Sequence, residues 1–160
     1  QAEHALVVGS NRTPSVPVLT REDLRDLRDI RLALEGIATE RAAEKINQSD
    51  LSHIRELCNQ MADSTKNHDT DAYLKQNLEF HRAIYRVASS DYMMRMIENL
   101  WLRSGPQVRL TFFEQFSRSN SMMHHFRACE ALESNDGVGA RIAIEADIAG
   151  AASDIEKVLT

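Results

Sequence analysis

An all-α fold, an antiparallel bundle of about six helices, follows from three features of this sequence. Six glycines and three prolines among 160 residues leave long segments free of the two residues that most disfavour helix interiors. Runs of β-branched residues are scarce, and apolar residues recur at the three-and-four spacing of a single helix face. The connectors between these periodic segments are short and polar, which makes successive helices antiparallel neighbours. One domain of this length buries a core of ordinary size.

The first nineteen residues stand apart. Ala5–Val8 and Val16–Leu19 are short extended runs separated by turn-forming residues from Gly9 to Pro14, the pattern of a small hairpin or an extended linker. Thr20 then offers an N-cap, with Glu22 and Asp23 in the first turn, to a helix reaching about Ile46. Its apolar stripe is Leu24, Leu27, Leu34, Ala38 and Ala42. Arg31 interrupts this stripe with Glu35 one turn on. Two readings stay open: a surface ion pair worth only ~0.3–0.5 kcal/mol, or a core-side guanidinium that holds a carboxylate in its fork.

A second helix, from Ser49 or Asp50 to Lys66, buries Leu51, Ile54, Cys58 and Met61. The polar stretch from Asn67 to Thr70 connects it to a third helix carrying 73-YLKQNLEFHRAIYRVA-88, whose inner face holds Tyr73, Phe80, Ile84 and Ala88 and whose outer face holds Lys75, Glu79, Arg82 and Arg86. Ser89, Ser90 and Asp91 break and recap the chain. A fourth helix runs from Asp91 to about Phe116 with a kink expected at Gly105–Pro106. Ser119, Asn120 and Ser121 cap the fifth helix, and the turn from Ser134 to Gly137 leads into the sixth, which ends near Leu159.

Composition excludes several functions. No segment approaches the roughly 20 apolar residues of a membrane span, and no signal peptide is visible. Twenty-four acidic against nineteen basic residues give a net charge of −5, a poor partner for nucleic acid or an anionic membrane. Cys58 and Cys129 lack any CxxC spacing and read as buried free thiols of a cytoplasmic protein. The start at Gln1 without Met leads us to expect that an upstream segment was removed.

Three helices place a metal-capable side chain on an otherwise apolar face. Asn77 and His81, four residues apart, share one face. His125 falls among Met122, Phe126, Cys129 and Leu132, while its neighbour His124 projects away, to solvent, as do His4, His53 and His68. Asp147 falls among Ala140, Ile144, Ala151 and Ile155. Buried polar groups need partners. Either each is satisfied by its own core hydrogen bond, or Asn77, His81, His125 and Asp147 converge as a four-ligand cage for a divalent metal. Imidazoles suit Zn, Ni, Cu or Fe, and the oxygen donors favour harder ions such as Mn or Mg. The repeated E-x-x-H of di-iron bundles, HExxH, GxSxG and the P-loop are all absent.

The runs 31-RLALEGIATERAAEKI-46, 80-FHRAI-84, 125-HFRACEAL-132 and 140-ARIAIEADI-148 together resemble the FCD effector domain of GntR-type transcription regulators, of the FadR subfamily. The resemblance covers roughly residues 20–159, and 5-ALVVGSNRTPSVPVLT-20 is similar to the linker after the winged helix of such regulators. It implies that residues 1–19 are a linker or remnant of an upstream winged-helix domain, and that 20–160 form an all-helical effector-binding domain.

The resemblance further implies a homodimer that binds a small organic acid in its core, in many members through a divalent metal. Asn77 stands where the family has an acid, and Asp147 where it has a histidine. Formal ligand charge is therefore unchanged while nitrogen donors fall, which tilts selectivity among Zn, Ni, Mn and Mg toward the harder ions. The same residues without a metal would hydrogen-bond the ligand directly. An acid's carboxylate would be held by the metal or by Arg31, Arg103 or Arg109. DNA would be bound only through the upstream domain, absent from this chain. The expected function is non-enzymatic ligand sensing. A small metal-dependent hydrolase or lyase is the alternative, weakened by the lack of a general base beside the cage, and a purely structural dimerisation module is a third reading.

Dimerisation is expected from excess apolar surface. The sixth helix is apolar nearly all round between Val138 and Ala152, the fourth exposes Met93 and Met94, and Phe112, Phe113 and Phe116 cluster near its end.

Overall fold

The computed structural model describes residues 7–8, 14–15, 20–113 and 118–158, with side chains described for 20–105 and 121–157. Two short strands, β1 (Val7–Val8) and β2 (Pro14–Ser15), pair antiparallel with Val7 opposite Ser15, a hairpin whose second strand falls at the end of the expected turn and before the extended run expected at Val16–Leu19. Six helices follow: α1 (Arg21–Ala43), α2 (Gln48–Lys66), α3 (Thr70–Arg86), α4 (Asp91–Phe113), α5 (Arg118–Glu133) and α6 (Gly137–Val158).

Local chemistry sets these boundaries. Thr20 and Asp23 form a reciprocal capping box at α1, the Asp23 amide donating to the threonine hydroxyl and the Thr20 amide to the carboxylate. The helix closes at Ala43 rather than Ile46, because the amides of Lys45 and Ile46 both turn back onto the Ala42 carbonyl. Asn47 and Asp50 repeat the capping box at α2, so that helix begins one residue before Ser49. Asp69 caps α3 directly after His68, which sits at φ 56°. Asn135 at φ 54° makes the turn into α6, where Asp136 accepts from the Gly139 amide.

α4 runs as one helix through Gly105 and Pro106. Two expectations need correction here. α5 already includes Ser119–Ser121 in its first turn, so those residues do not cap it; the Ser121 hydroxyl is instead directed at Asp147. Met94 is buried, and the large exposed apolar residues among the described side chains of α4 are Tyr92, Met96 and Leu102. Phe112, Phe113 and Phe116 lie outside the described side chains.

The core is continuous from Ala38 and Ala42 on α1 through Ile54, Cys58 and Met61 on α2, Phe80, Ile84 and Tyr85 on α3, Cys129 and Leu132 on α5, to Ile144 and Ile148 on α6. Both cysteines are free and buried. α6 packs most extensively on α1 and α5, and α2 on α3. Gly137 lets the start of α6 lie against α1, since a Cβ there would fall 3.0 Å from the Glu40 carbonyl. Arg141 ties the two helices, donating to Glu40 at 3.0 Å while also pairing with Glu145 on its own helix at 2.6 Å.

Burial along α6 can be checked by paired substitution. Ile144 is fully buried, whereas Ile142 is 60% exposed. Ile144→Ala should lower stability by ~2–5 kcal/mol, and Ile142→Ala by no more than about 0.5 kcal/mol in a monomeric state, as read from urea unfolding. Equal losses would reverse the assigned faces.

Candidate metal centre and adjoining cavity

His81 from α3, His125 from α5 and Asp147 from α6 converge at the centre of the bundle. Their donor atoms all lie within 4.8 Å of one another, and all three residues are buried. Asp147 Oδ2 is 3.3 Å from Nε2 of both His81 and His125. A tetrahedral ion with bonds of ~2.0–2.1 Å has donor-to-donor edges of roughly 3.3 Å, so these two separations suit a shared cation. The other carboxylate oxygen, Oδ1, accepts from Ser121 at 2.5 Å, and Ser121 is in turn 3.3 Å from the Tyr73 hydroxyl.

The electrostatics keep the carboxylate in the ionised form that a metal ligand needs. Burial works against the charge on Asp147, yet His125 and His81 outweigh it and hold the carboxyl well below its ordinary range. His125 is fully buried, and neither of its ring nitrogens has a hydrogen-bond partner; the 3.3 Å approach of its Nε2 to Asp147 lacks hydrogen-bond geometry. An orphaned imidazole nitrogen beside a buried carboxylate fits a metal ligand. The residues present therefore suit a divalent ion held by two imidazoles and a carboxylate.

A cavity of about 620 Å³ opens beside this group. His81 belongs to both, and Asn77 lines the same wall one turn earlier on α3. Arg31, Ser104, Arg82 and Glu98 add polar groups, and Leu74, Leu78, Trp101 and Leu102 add apolar ones. Arg31 is neither a free anion clamp nor a plain surface pair. Its Nε donates to Glu35 Oε1 at 2.6 Å, with Glu35 fully buried, which agrees with the core-side reading. Burial opposes the charge on Arg31, but Glu35 more than compensates and keeps its pKa above the ordinary value.

Arg103 is half-buried, its Nε buried without a hydrogen-bond partner, and it does not line the cavity. On α4 the wall is formed by Glu98, Trp101, Leu102, Ser104 and Gly105, and Arg103 is not among them. Arg109 lies outside the described side chains. Arg82, expected on the solvent side, lines the cavity and pairs with Glu79 and Glu98, because positions 74, 78 and 82 form one strip of α3. His124, expected in solvent, is half-buried with its Nδ1 buried and unpartnered; His53 and His68 are exposed.

Sequence reasoning missed Tyr85, and it placed Glu35 only as a partner of Arg31. Tyr85 donates to Glu35 Oε2 at 2.8 Å, and its oxygen is 3.1 Å from His81 Nδ1. Burial and the adjacent Glu35 carboxylate raise the Tyr85 phenol well above its ordinary value. The available signal was the i, i+4 spacing of Tyr85 from His81 and of Glu35 from Arg31.

The FCD domain family matches residues 26–150. The chain belongs to this family. It is 28% identical over 109 residues to the HTH-type transcriptional regulator McbR of Escherichia coli (strain K12), an alignment covering 68% of this chain and 49% of the relative. It is 36% identical over 83 residues to the uncharacterized HTH-type transcriptional regulator YcbG of Bacillus subtilis (strain 168), covering 51% of this chain and 34% of that one. The chain thus spans half or less of the curated relatives it matches.

Among solved structures, E. coli McbR/YncC superposes with a TM-score of 0.88 at 24% identity, covering 96% of this chain and 77% of that one. A GntR family member from Pseudomonas syringae pv. tomato str. DC3000 superposes with a TM-score of 0.70 at 20% identity, covering 99% of this chain and 66% of that one. The all-α bundle is therefore the FCD fold, and the relatives are transcriptional regulators rather than enzymes, in agreement with the non-enzymatic expectation.

The buried carboxylate carries a pH signature. A folded-state pKa held below 3.8 contributes stability that is fully present above that pH and lost as pH falls through the depressed value. With metal stripped by chelator, Asp147→Asn should be less stable at neutral pH by on the order of 3 kcal/mol. The gap should narrow below pH 3.8. Guanidinium unfolding at a series of pH values measures it, and a gap that stays constant into acid would contradict the assignment.

Proposed function

We propose that this chain is the effector-sensing domain of a cytoplasmic bacterial transcription regulator of the GntR type, and that it binds a small carboxylic acid beside a divalent cation. The observation that carries the reading is that His81 belongs both to the buried His81–His125–Asp147 group and to the wall of the 620 Å³ cavity. One carboxylate and two neutral imidazoles leave a divalent ion with net positive charge, which draws an anion to any open coordination position. Asn77 stands on the cavity side as a further oxygen donor, and Arg31, paired with Glu35, lines the same cavity.

The remaining wall explains what else the acid carries. Leu74, Leu78, Trp101 and Leu102 would cover an apolar body by removing it from water. In this reading residues 20–160 form the effector domain and residues 1–19 belong to the linker toward a winged-helix domain. DNA contact falls to that domain, as the names of the HTH-type relatives suggest for them. The net charge of −5 agrees with a poor intrinsic affinity of this chain for DNA. No described helix is long and apolar enough to cross a membrane.

We also propose a homodimer. Val138 and Ile142 on α6, and Tyr92, Met96 and Leu102 on α4, are exposed apolar residues of the kind that subunit contacts cover. Acid binding would then shift the balance between two arrangements of the dimer, to the extent that the acid prefers one of them.

Two measurements test the reading. Wild-type protein should be stabilised against heat by a divalent ion, and further by carboxylic acids only when that ion is present. His81→Ala should abolish both effects, and acid stabilisation that survives chelation and His81→Ala would remove the metal from the mechanism. A folded Arg31→Gln variant should bind the acid at least about 10-fold more weakly by calorimetry, since a hydrogen bond to a charged group is worth ~1.5–3 kcal/mol and each decade takes ~1.4 kcal/mol. Unchanged acid affinity in that variant would assign Arg31 to structure alone.

A further inference from the structure

We propose that Glu35 and Tyr85 are positioning residues that hold His81 with its proton on Nδ1 and its lone pair on Nε2, facing Asp147 and His125. The proposal deepens the metal reading above and rests on it for its functional meaning, but the hydrogen-bond chain stands on its own geometry. The chain starts at Arg31, whose Nε donates to Glu35 Oε1 at 2.6 Å. A guanidinium is charged at any ordinary pH and can only donate, so the opposing carboxylate accepts. On its other oxygen, Oε2, Glu35 receives the Tyr85 hydroxyl at 2.8 Å.

A phenol has a single proton. Because that proton is directed at Glu35, the Tyr85 oxygen can only accept from His81 Nδ1, 3.1 Å away. Nδ1 must therefore carry hydrogen, and in a neutral ring Nε2 must not. Nε2 is the atom 3.3 Å from Asp147 Oδ2, so the tautomer that the chain enforces is the one that a metal ligand through Nε2 requires.

Burial makes the arrangement stringent. Glu35 and Tyr85 are 0% exposed and His81 is 5% exposed, so water cannot substitute for a lost partner at low cost. The chain also crosses helices, from α1 through Glu35 to α3 through Tyr85 and His81. An ion pair that served only to stabilise α1 would not need the tyrosine between it and the histidine.

The test uses the whole chain and two readouts. Long-range proton–nitrogen NMR spectra of chelator-treated protein at about pH 8, above the ordinary imidazole range, report the His81 tautomer without metal. Wild type should show Nδ1 protonated and Nε2 bare, and Tyr85→Phe should shift His81 toward a mixture or the opposite tautomer. Competition against a chromophoric chelator for Zn²⁺ or Mn²⁺ should show Tyr85→Phe weakening the ion about 10–100-fold. Glu35→Gln should weaken it in the same direction, and Ile84→Val, a core change on the same helix, should leave it unaltered.

A wild-type His81 protonated on Nε2, or a Tyr85→Phe variant with unchanged tautomer and unchanged ion affinity, overturns the proposal. Should Glu35→Gln fail to fold, Tyr85→Phe alone still decides it. Wild type that binds no ion yet shows the Nδ1-protonated tautomer, lost in Tyr85→Phe, supports the positioning roles and refutes the metal reading.

Discussion

Burying the Asp147 carboxylate in the middle of a helical bundle constrains everything placed around it. A charged group taken out of water is tolerated only when its oxygens find partners, and here Ser121 serves one while two imidazoles approach the other at 3.3 Å. Those imidazoles come from α3 and α5, so three helices meet at a single oxygen atom. His125, with neither ring nitrogen hydrogen-bonded, leaves the group short of positive charge and donors, a deficit that a cation satisfies. The same deficit in a purely structural core would be relieved more cheaply by an apolar side chain of similar volume.

The bundle architecture supplies the precision that such a group needs. Gly137 lets the start of α6 lie against α1, and Arg141 fastens the two helices through Glu40. Asp147 sits on the same helix as the buried Ile144 and Ile148. Glu35 lies on α1, so the helix packed along α6 also reaches toward the opposite side of His81 through Tyr85. Packing and site chemistry thus share one pair of helices.

Much of this was legible in the residue pattern, for a physical reason. A helix face repeats every three or four residues, so a histidine or aspartate on an apolar face announces itself within a single segment, as His81, His125 and Asp147 do. Helix starts were similarly local, since Thr20 and Asp23 carry their own capping partners. What escaped depended on how helices dock. Glu35 read equally well as the surface partner of Arg31, and only the approach of α3 makes it a buried acceptor. Tyr85 read as nothing in particular. The cavity wall contributed by α4, with Trp101 and Ser104, follows from the rotation of that helix against α3, which no single-helix pattern encodes. Arg82 lines the cavity with Leu74 and Leu78 on one strip of α3, and Arg103 is off the wall.

The central claim is that His81, His125 and Asp147 hold one cation between them. X-ray absorption spectroscopy at the zinc edge, on protein loaded with one equivalent of Zn²⁺, reports the ligand shell most directly. Two imidazoles at ~2.0–2.1 Å are expected, with the rest of the shell made up of oxygen donors. A shell of oxygens alone, with no imidazole scattering, would place the ion elsewhere on the protein and contradict the claim.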